Sequence, residues 1–209
     1  MRFGRKKGAS DEALEQPAAE ESAPPANDGP YDFSEASYDE TDEGFVNLGS
    51  LIVKARPGIE LRLQVDEATG AVAAALLVSE DGAVELRAFA SPRHGGIWDD
   101  VRKSIRAEAA RQGGTADEVD GPWGTELQLM VTGQDDQGRP ITQPSRIAGI
   151  TGPRWLLRAT FFGKPAAEPD PDHVLEQVIR DLIVVRGDQA MAPGEFLPLV
   201  LPASAQRLG

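Results

Sequence analysis

Ile59-Glu60-Leu61-Arg62-Leu63-Gln64-Val65 decides how the rest of the chain is read. Ile59, Leu61, Leu63 and Val65 alternate with Glu60, Arg62 and Gln64, the period-two pattern of a half-buried strand. Asp66-Glu67-Ala68-Thr69-Gly70 then reads as a turn, with Gly70 free to take a positive φ. Ala71 to Val78 is nearly all apolar, which predicts a strand buried at the centre of a sheet. Ser79-Glu80-Asp81-Gly82 turns the chain again, and Val84, Leu86 and Ala88 share one face of a third strand ending at Phe89. Three successive strands joined by short turns predict an antiparallel meander. Upstream, Leu51-Ile52-Val53 is a short apolar run closed by the turn signal Arg56-Pro57-Gly58.

Downstream the period changes. Trp98, Val101, Ile105 and Ala109 fall on one stripe of an amphipathic helix. Asp99 and Asp100 in its first turn and Arg111 in its last suit the helix dipole, and Gly113-Gly114 supplies the stop. Leu127, Leu129 and Val131 alternate again, Gln134 to Gly138 turns, and Arg146 to Ile150 and Trp155 to Phe162 predict two more strands. Asp170-Pro171 reads as a helix N-cap with proline at the first helical position. Val174, Leu175, Val178, Ile179, Leu182 and Ile183 extend that helix to about Val185. The expected order is βββαβββα: an α+β fold with an antiparallel β-sheet and two amphipathic helices packed on it. With both helices on one face, the other face or an edge would be open to a partner. Phe196-Leu197-Pro198-Leu199-Val200-Leu201-Pro202 is too apolar to float free, and its prolines keep it out of a central strand.

Charge divides the chain. Met1 to Gly44 carries twelve acids against four bases, which places -8 of the net -13 there. This Ala/Pro/Glu/Ser-rich stretch has almost no aliphatic side chain besides Leu14 to offset its ordering entropy, so a disordered acidic tail is expected over 1–44. A single α+β domain is expected over 45–190 and an extended apolar, proline-containing segment over 191–209. Met1-Arg2-Phe3-Gly4-Arg5-Lys6-Lys7 is basic without the apolar stretch of a secretory signal, so a cytoplasmic location is expected. The absence of cysteine excludes disulfides, thiolate metal sites and a cysteine nucleophile. No apolar run reaches the length of a membrane span, and the negative charge opposes nucleic-acid binding.

Several local signatures occur together: Gly29-Pro30-Tyr31-Asp32, Leu48-Gly49-Ser50-Leu51, Ala88-Phe89-Ala90-Ser91-Pro92-Arg93 with Gly96-Ile97-Trp98, and Gly121-Pro122-Trp123-Gly124. Gly152-Pro153-Arg154-Trp155-Leu156-Leu157-Arg158 and Val184-Val185-Arg186-Gly187-Asp188 complete them. Over nearly its full length the chain resembles an actinobacterial family of unknown function. That resemblance implies an intracellular protein and supplies no activity, substrate or catalytic residue. The element order is similar to the Mog1/PsbP-like architecture, which implies a binding or adaptor scaffold.

The residues offer few chemical groupings. Arg93 and His94, in the loop before the first helix, could hold a phosphate or carboxylate at the helix N-terminus, although Asp99 and Asp100 already occupy that positive end. His173 is expected at the surface, in the first turn of the second helix. No GxSxG, GxGxxG or GxxxxGK[ST] pattern is present. The adjacent pair Asp99-Asp100 would diverge by about 100° on a helix, and Glu80-Asp81 and Asp135-Asp136 belong to turns. Asp117, Glu118 and Asp120 could gather a hard cation weakly. Trp98 and Trp155 read as core, whereas Trp123, stiffened by Gly121, Pro122 and Gly124, is either a recognition knob or a plug for one end of the core. No catalytic residue, cofactor or metal is assigned, and the oligomeric state stays open. The expected function is a non-enzymatic protein-binding or adaptor domain, with Arg93, His94 and Trp123 as the candidate surface. A small-molecule binder with a pocket near residues 91–98 is the alternative, and a hydrolase the third reading.

Overall fold

A computed structural model describes residues 29–39, 41–94, 96–134 and 140–202. The basic start and most of the expected acidic tail, together with residues 135–138 of the expected turn, lie outside the described residues. The strands in chain order are β1 (Tyr31–Asp32), β2 (Phe45–Asn47), β3 (Leu51–Lys54), β4 (Glu60–Val65), β5 (Val72–Val78) and β6 (Gly82–Ala90). Helix α1 (Trp98–Arg111) follows, then β7 (Thr115–Gly121), β8 (Gly124–Gln134), β9 (Pro140–Gly152) and β10 (Trp155–Gly163). The chain continues through α2 (Lys164–Ala167), α3 (Val174–Arg180) and β11 (Ile183–Val184).

The chain is α+β, with mostly antiparallel strands. Two antiparallel meanders, β4-β5-β6 and β7-β8-β9-β10, meet where β6 pairs with β10 along its length, giving a seven-stranded sheet in the order β4-β5-β6-β10-β9-β8-β7. A four-stranded sheet, β1-β11-β3-β2, contains the parallel pair β1 and β11. Side-chain alternation gives the large sheet two unlike faces. From β10, Trp155, Leu157, Ala159 and Phe161 join the main core, which also holds Leu175, Val178 and Ile179 of α3, Leu51 and Val53 of β3, and Leu48 from the β2–β3 connection. The opposite parity sends Leu156, with Leu127, Leu129 and Ile147, into a smaller cluster capped by Trp98, Val101 and Ile105 of α1. The two amphipathic helices therefore cover opposite faces, and no shared helical layer leaves one face wholly bare.

Four departures from the expected order have physical causes. Tyr31–Asp32, assigned to the tail by composition, is seated on Ile183–Val184, and Asp32 accepts a 2.8 Å hydrogen bond from the Trp155 indole. The expected second helix stops at Arg180, and Leu182 to Val184 cross into β11 instead. Their apolar spacing suits a helix and a buried strand alike, and the β-branched Ile183 and Val184 find partners on β1 and β3. The cap of α3 is His173, whose Nδ1 accepts from the Leu175 amide at 3.2 Å, while Asp170 closes the preceding turn onto Asp172. Finally, Thr115–Gly121 is a strand despite three acids, because an edge strand has one neighbour and tolerates charge on its free side.

The C-terminal segment runs against the large sheet. Ala90 donates to the Glu195 carbonyl and Leu197 to the Ala88 carbonyl, each at 2.8 Å, while Phe196 meets Phe89 edge-on. Leu197 and Leu199 are buried, whereas Val200 and Leu201 are exposed.

Trp98 fits only because Gly149 lies beneath it: a Cβ there would come within 2.2 Å of the ring. Gly149→Ala should therefore cost about 1–3 kcal/mol through overpacking, measured by urea unfolding. Unchanged stability would mean that α1 shifts freely on the sheet.

Candidate functional site

Two charged arrangements stand out, one sealed and one open. The sealed one is centred on Arg146, fully buried on β9 together with Glu126 of β8 and Glu176 of α3. The Arg146 guanidinium donates to Glu126 at 2.7 Å, to Glu176, and through Nε to the Pro165 carbonyl at 3.1 Å. It also stacks over the Phe161 ring, 3.8 Å from the centroid. Trp123 completes the set: its amide donates to Glu126 at 2.9 Å and its indole to Glu176 at 2.5 Å. Gly121 makes the approach possible, since a Cβ there would lie 2.3 Å from the Glu126 carboxylate. Burial pushes the Glu126 carboxyl above the ordinary carboxylate range, opposed by the adjacent Arg146 charge. With every side chain enclosed, the network can hold elements together but offers no route for a reactant.

The open arrangement lies on the other face, where α1 meets β6, β10 and the C-terminal segment. A cleft of about 420 Å³ is lined by Phe89, Ile97, Asp100, Val101, Ser104, Ile105, Arg158, Pro193 and Gly194. Arg158 is the cation at its wall. Its guanidinium lies 5.5 Å over the Phe89 ring and 3.7 Å from Glu85, and its Nε is buried without a hydrogen-bond partner. Directly across the β6–β10 ladder stands Arg87, which takes the same Glu85 oxygen at 2.8 Å. Burial first, and the facing Arg87 second, lower the affinity of Arg158 for its proton.

The structure separates the three residues singled out from sequence. Arg93 and His94 are exposed in the loop between β6 and α1. Trp123 is only 8% exposed and belongs to the main core, so it is the plug and no recognition knob. Its indole is turned to the carboxylate of Glu176 and its ring is met by Arg180, which commits it to the interior. Glu118 of the acidic trio faces Arg102 and Arg106 of α1, at 3.7 and 3.5 Å, instead of gathering with Asp117 and Asp120. Among the described residues no group of three or more His, Asp or Glu could hold a metal ion. His173 is partly buried and contacts Asp81 at 3.1 Å, and that hydrogen bond holds the Asp81 carboxyl below its usual range. No described helix is long and apolar enough to cross a membrane.

A family profile described as "Protein of unknown function (DUF3710)" matches residues 29–207. The chain belongs to this DUF3710 family. No curated protein matches it. The cleft, the Arg146 network and β1 all fall inside the span shared with the DUF3710 family.

Residue choice alone left Arg146, Glu126, Glu176 and Arg158 unremarked, yet strand parity marks two of them. Arg146 shares the face of Ala148 and Ile150, and Glu126 sits opposite in parity to Leu127 and Leu129.

Removing the central charge would strand two buried carboxylates, so Arg146→Met should cost about 3–5 kcal/mol in denaturant unfolding. The raised Glu126 pKa sets a pH dependence. Above the ordinary value of 4.5 the unfolded chain releases this proton while the folded chain keeps it, so the contribution of Glu126 falls as pH rises through that window. The stability of the native chain relative to Glu126→Gln should thus decline from pH 4.5 upward, read from urea midpoints across pH. A flat difference would place Glu126 in its ordinary range.

Proposed function

We propose that this chain is a binding domain for a small ligand, seated in the cleft between α1 and the large sheet. The observation that carries the reading is the cleft itself. At about 420 Å³ it falls within the roughly 300–1,000 Å³ usual for ligand sites. Its walls come from a strand of each meander, from α1 with the residue before it, and from the C-terminal segment. Each of these is held in place: β6 and β10 by their mutual ladder, α1 by the Trp98 cluster, and Gly194 by its hydrogen bond to the Ala90 carbonyl of β6. Side chains converging from elements anchored in this way keep their spacing when a ligand enters, which limits the ordering cost of binding.

Ile97 brings the end of the 91–98 loop to this wall, which supports the small-molecule alternative read from the sequence, although Arg93, His94 and Trp123 do not line the cleft. Of the three residues offered as a protein-binding surface, Arg93 and His94 are exposed and Trp123 is buried.

The test is protein-observed NMR with a fragment set that spans neutral, cationic and anionic compounds. Binding should shift the signals of Phe89, Val101 and Ile105, and Ser104→Trp should abolish it by filling the cleft. Ser104 is exposed on α1, so the fold tolerates the larger ring. Fragment shifts elsewhere, or shifts indifferent to Ser104→Trp, would overturn the proposal.

A further inference from the structure

The cleft combines an apolar floor with an unbalanced charge, and that combination specifies a ligand chemistry. Arg87 and Arg158 are register partners on β6 and β10. Like charges directly opposite one another on a sheet are destabilising. Both guanidiniums draw on one carboxylate, Glu85, at 2.8 and 3.7 Å, so the group of three carries a net positive charge. The group is also partly withdrawn from water, with the side chains of Arg87, Arg158 and Glu85 32%, 23% and 14% exposed. Screening of the excess charge is correspondingly weaker than at an open surface.

Arg158 is the member that reaches the cleft. Its buried Nε has no hydrogen-bond partner, so one of its donors is unsatisfied. The guanidinium lies over Phe89, 5.5 Å from the ring centroid, beside the apolar wall formed with Ile97, Val101 and Ile105. The remaining charge at the cleft is Asp100. Its side chain is 86% exposed and pairs with Lys103 at 3.5 Å, so it lies in solvent at the mouth. It weighs against a multiply charged anion more than against a single carboxylate held deeper.

We infer that the cleft takes an amphipathic monocarboxylate, its head on Arg158 beside Arg87 and its apolar body against Phe89, Ile97, Val101 and Ile105. The inference rests on the cleft being a ligand site, as proposed above. A carboxylate there accepts from Arg158 and supplies the negative charge that Glu85 alone does not. A phosphate dianion would exceed the local positive charge and face Asp100, and a neutral or cationic amphiphile would leave Arg158 as it is.

The experiment is titration of the full chain with octanoate, 1-octanol and octylammonium, followed by NMR shifts of the cleft residues. Octanoate should bind at least about tenfold more tightly than 1-octanol, the scale of a charge-assisted hydrogen bond, and octylammonium more weakly than either. Arg158→Met should remove that preference while 1-octanol binding persists. The native-like shift pattern of Arg158→Met away from the cleft serves as the folding control. Equal binding of octanoate and 1-octanol, or a preference that survives Arg158→Met, would overturn the carboxylate inference and leave the cleft as a ligand site. If all three probes fail to shift the cleft, the carboxylate inference is overturned, and the fragment screen alone then decides whether the cleft binds anything else.

Discussion

A guanidinium sealed among two carboxylates is the constraint on which the tertiary structure turns. Arg146 is fully buried, and a charge in that position is tolerated only when its donors are met in good geometry. Its partners come from β8, from α3 and from the backbone of α2, and its plane is stacked on Phe161 of β10. Satisfying this one side chain therefore fixes the position of four other elements relative to β9. Trp123 adds the β7–β8 turn, because both of its N–H groups are spent on the same two carboxylates. α3 depends on this anchorage most. At seven residues it is too short to be stable alone, and Glu176 and the apolar residues around it hold it to the sheet.

Anchoring on one face leaves the other free for a different purpose. The main core fills the space between the large sheet and the layer of α2, α3 and the small sheet. On the reverse face α1 packs on β7, β8 and β9. Beside it the polar residues of β6 and β10 gather Arg87, Arg158 and Glu85 in a partly withdrawn setting. A chain with net charge -13 thus carries two arginines sharing one carboxylate beside an apolar cleft, with Arg158 in its wall. Net charge governs the distant field, whereas selectivity in a cleft is set by the few groups that line it.

Much of the architecture was legible before any coordinate. Period-two alternation located β4 and β6, the continuous apolar run located β5, and the stripe from Trp98 to Ala109 located α1. These segments declare themselves because burial of one face or of both is written in the spacing of apolar residues within the segment. Thr115–Gly121 did not, since its acids suit an edge whose existence depends on where the sheet stops. Leu182 to Val184 were misread because a short apolar run fits either period, and the choice was made by the pairing of Ile183 and Val184 with β1 and β3. Composition likewise placed Asp32 in a tail, although its carboxylate receives the indole of Trp155, 123 positions away.

The candidate sites show the same division more sharply. Arg93 and His94 were chosen for their chemistry and position before a helix, and they stand exposed in the loop. Trp123 was placed in a turn by its glycines and proline, but whether the ring pointed out or in depended on Glu176, 53 residues on. Local pattern determined the α+β class, the strands of the first meander and the amphipathic stripe of α1, because periodicity records which side of each segment meets apolar neighbours. Tertiary structure alone decided the pairing of β6 with β10, and with it the facing of Arg87 and Arg158 and the cleft beside them. Such juxtapositions join residues about 70 positions apart, and charge balance there depends on distances that a linear pattern does not contain.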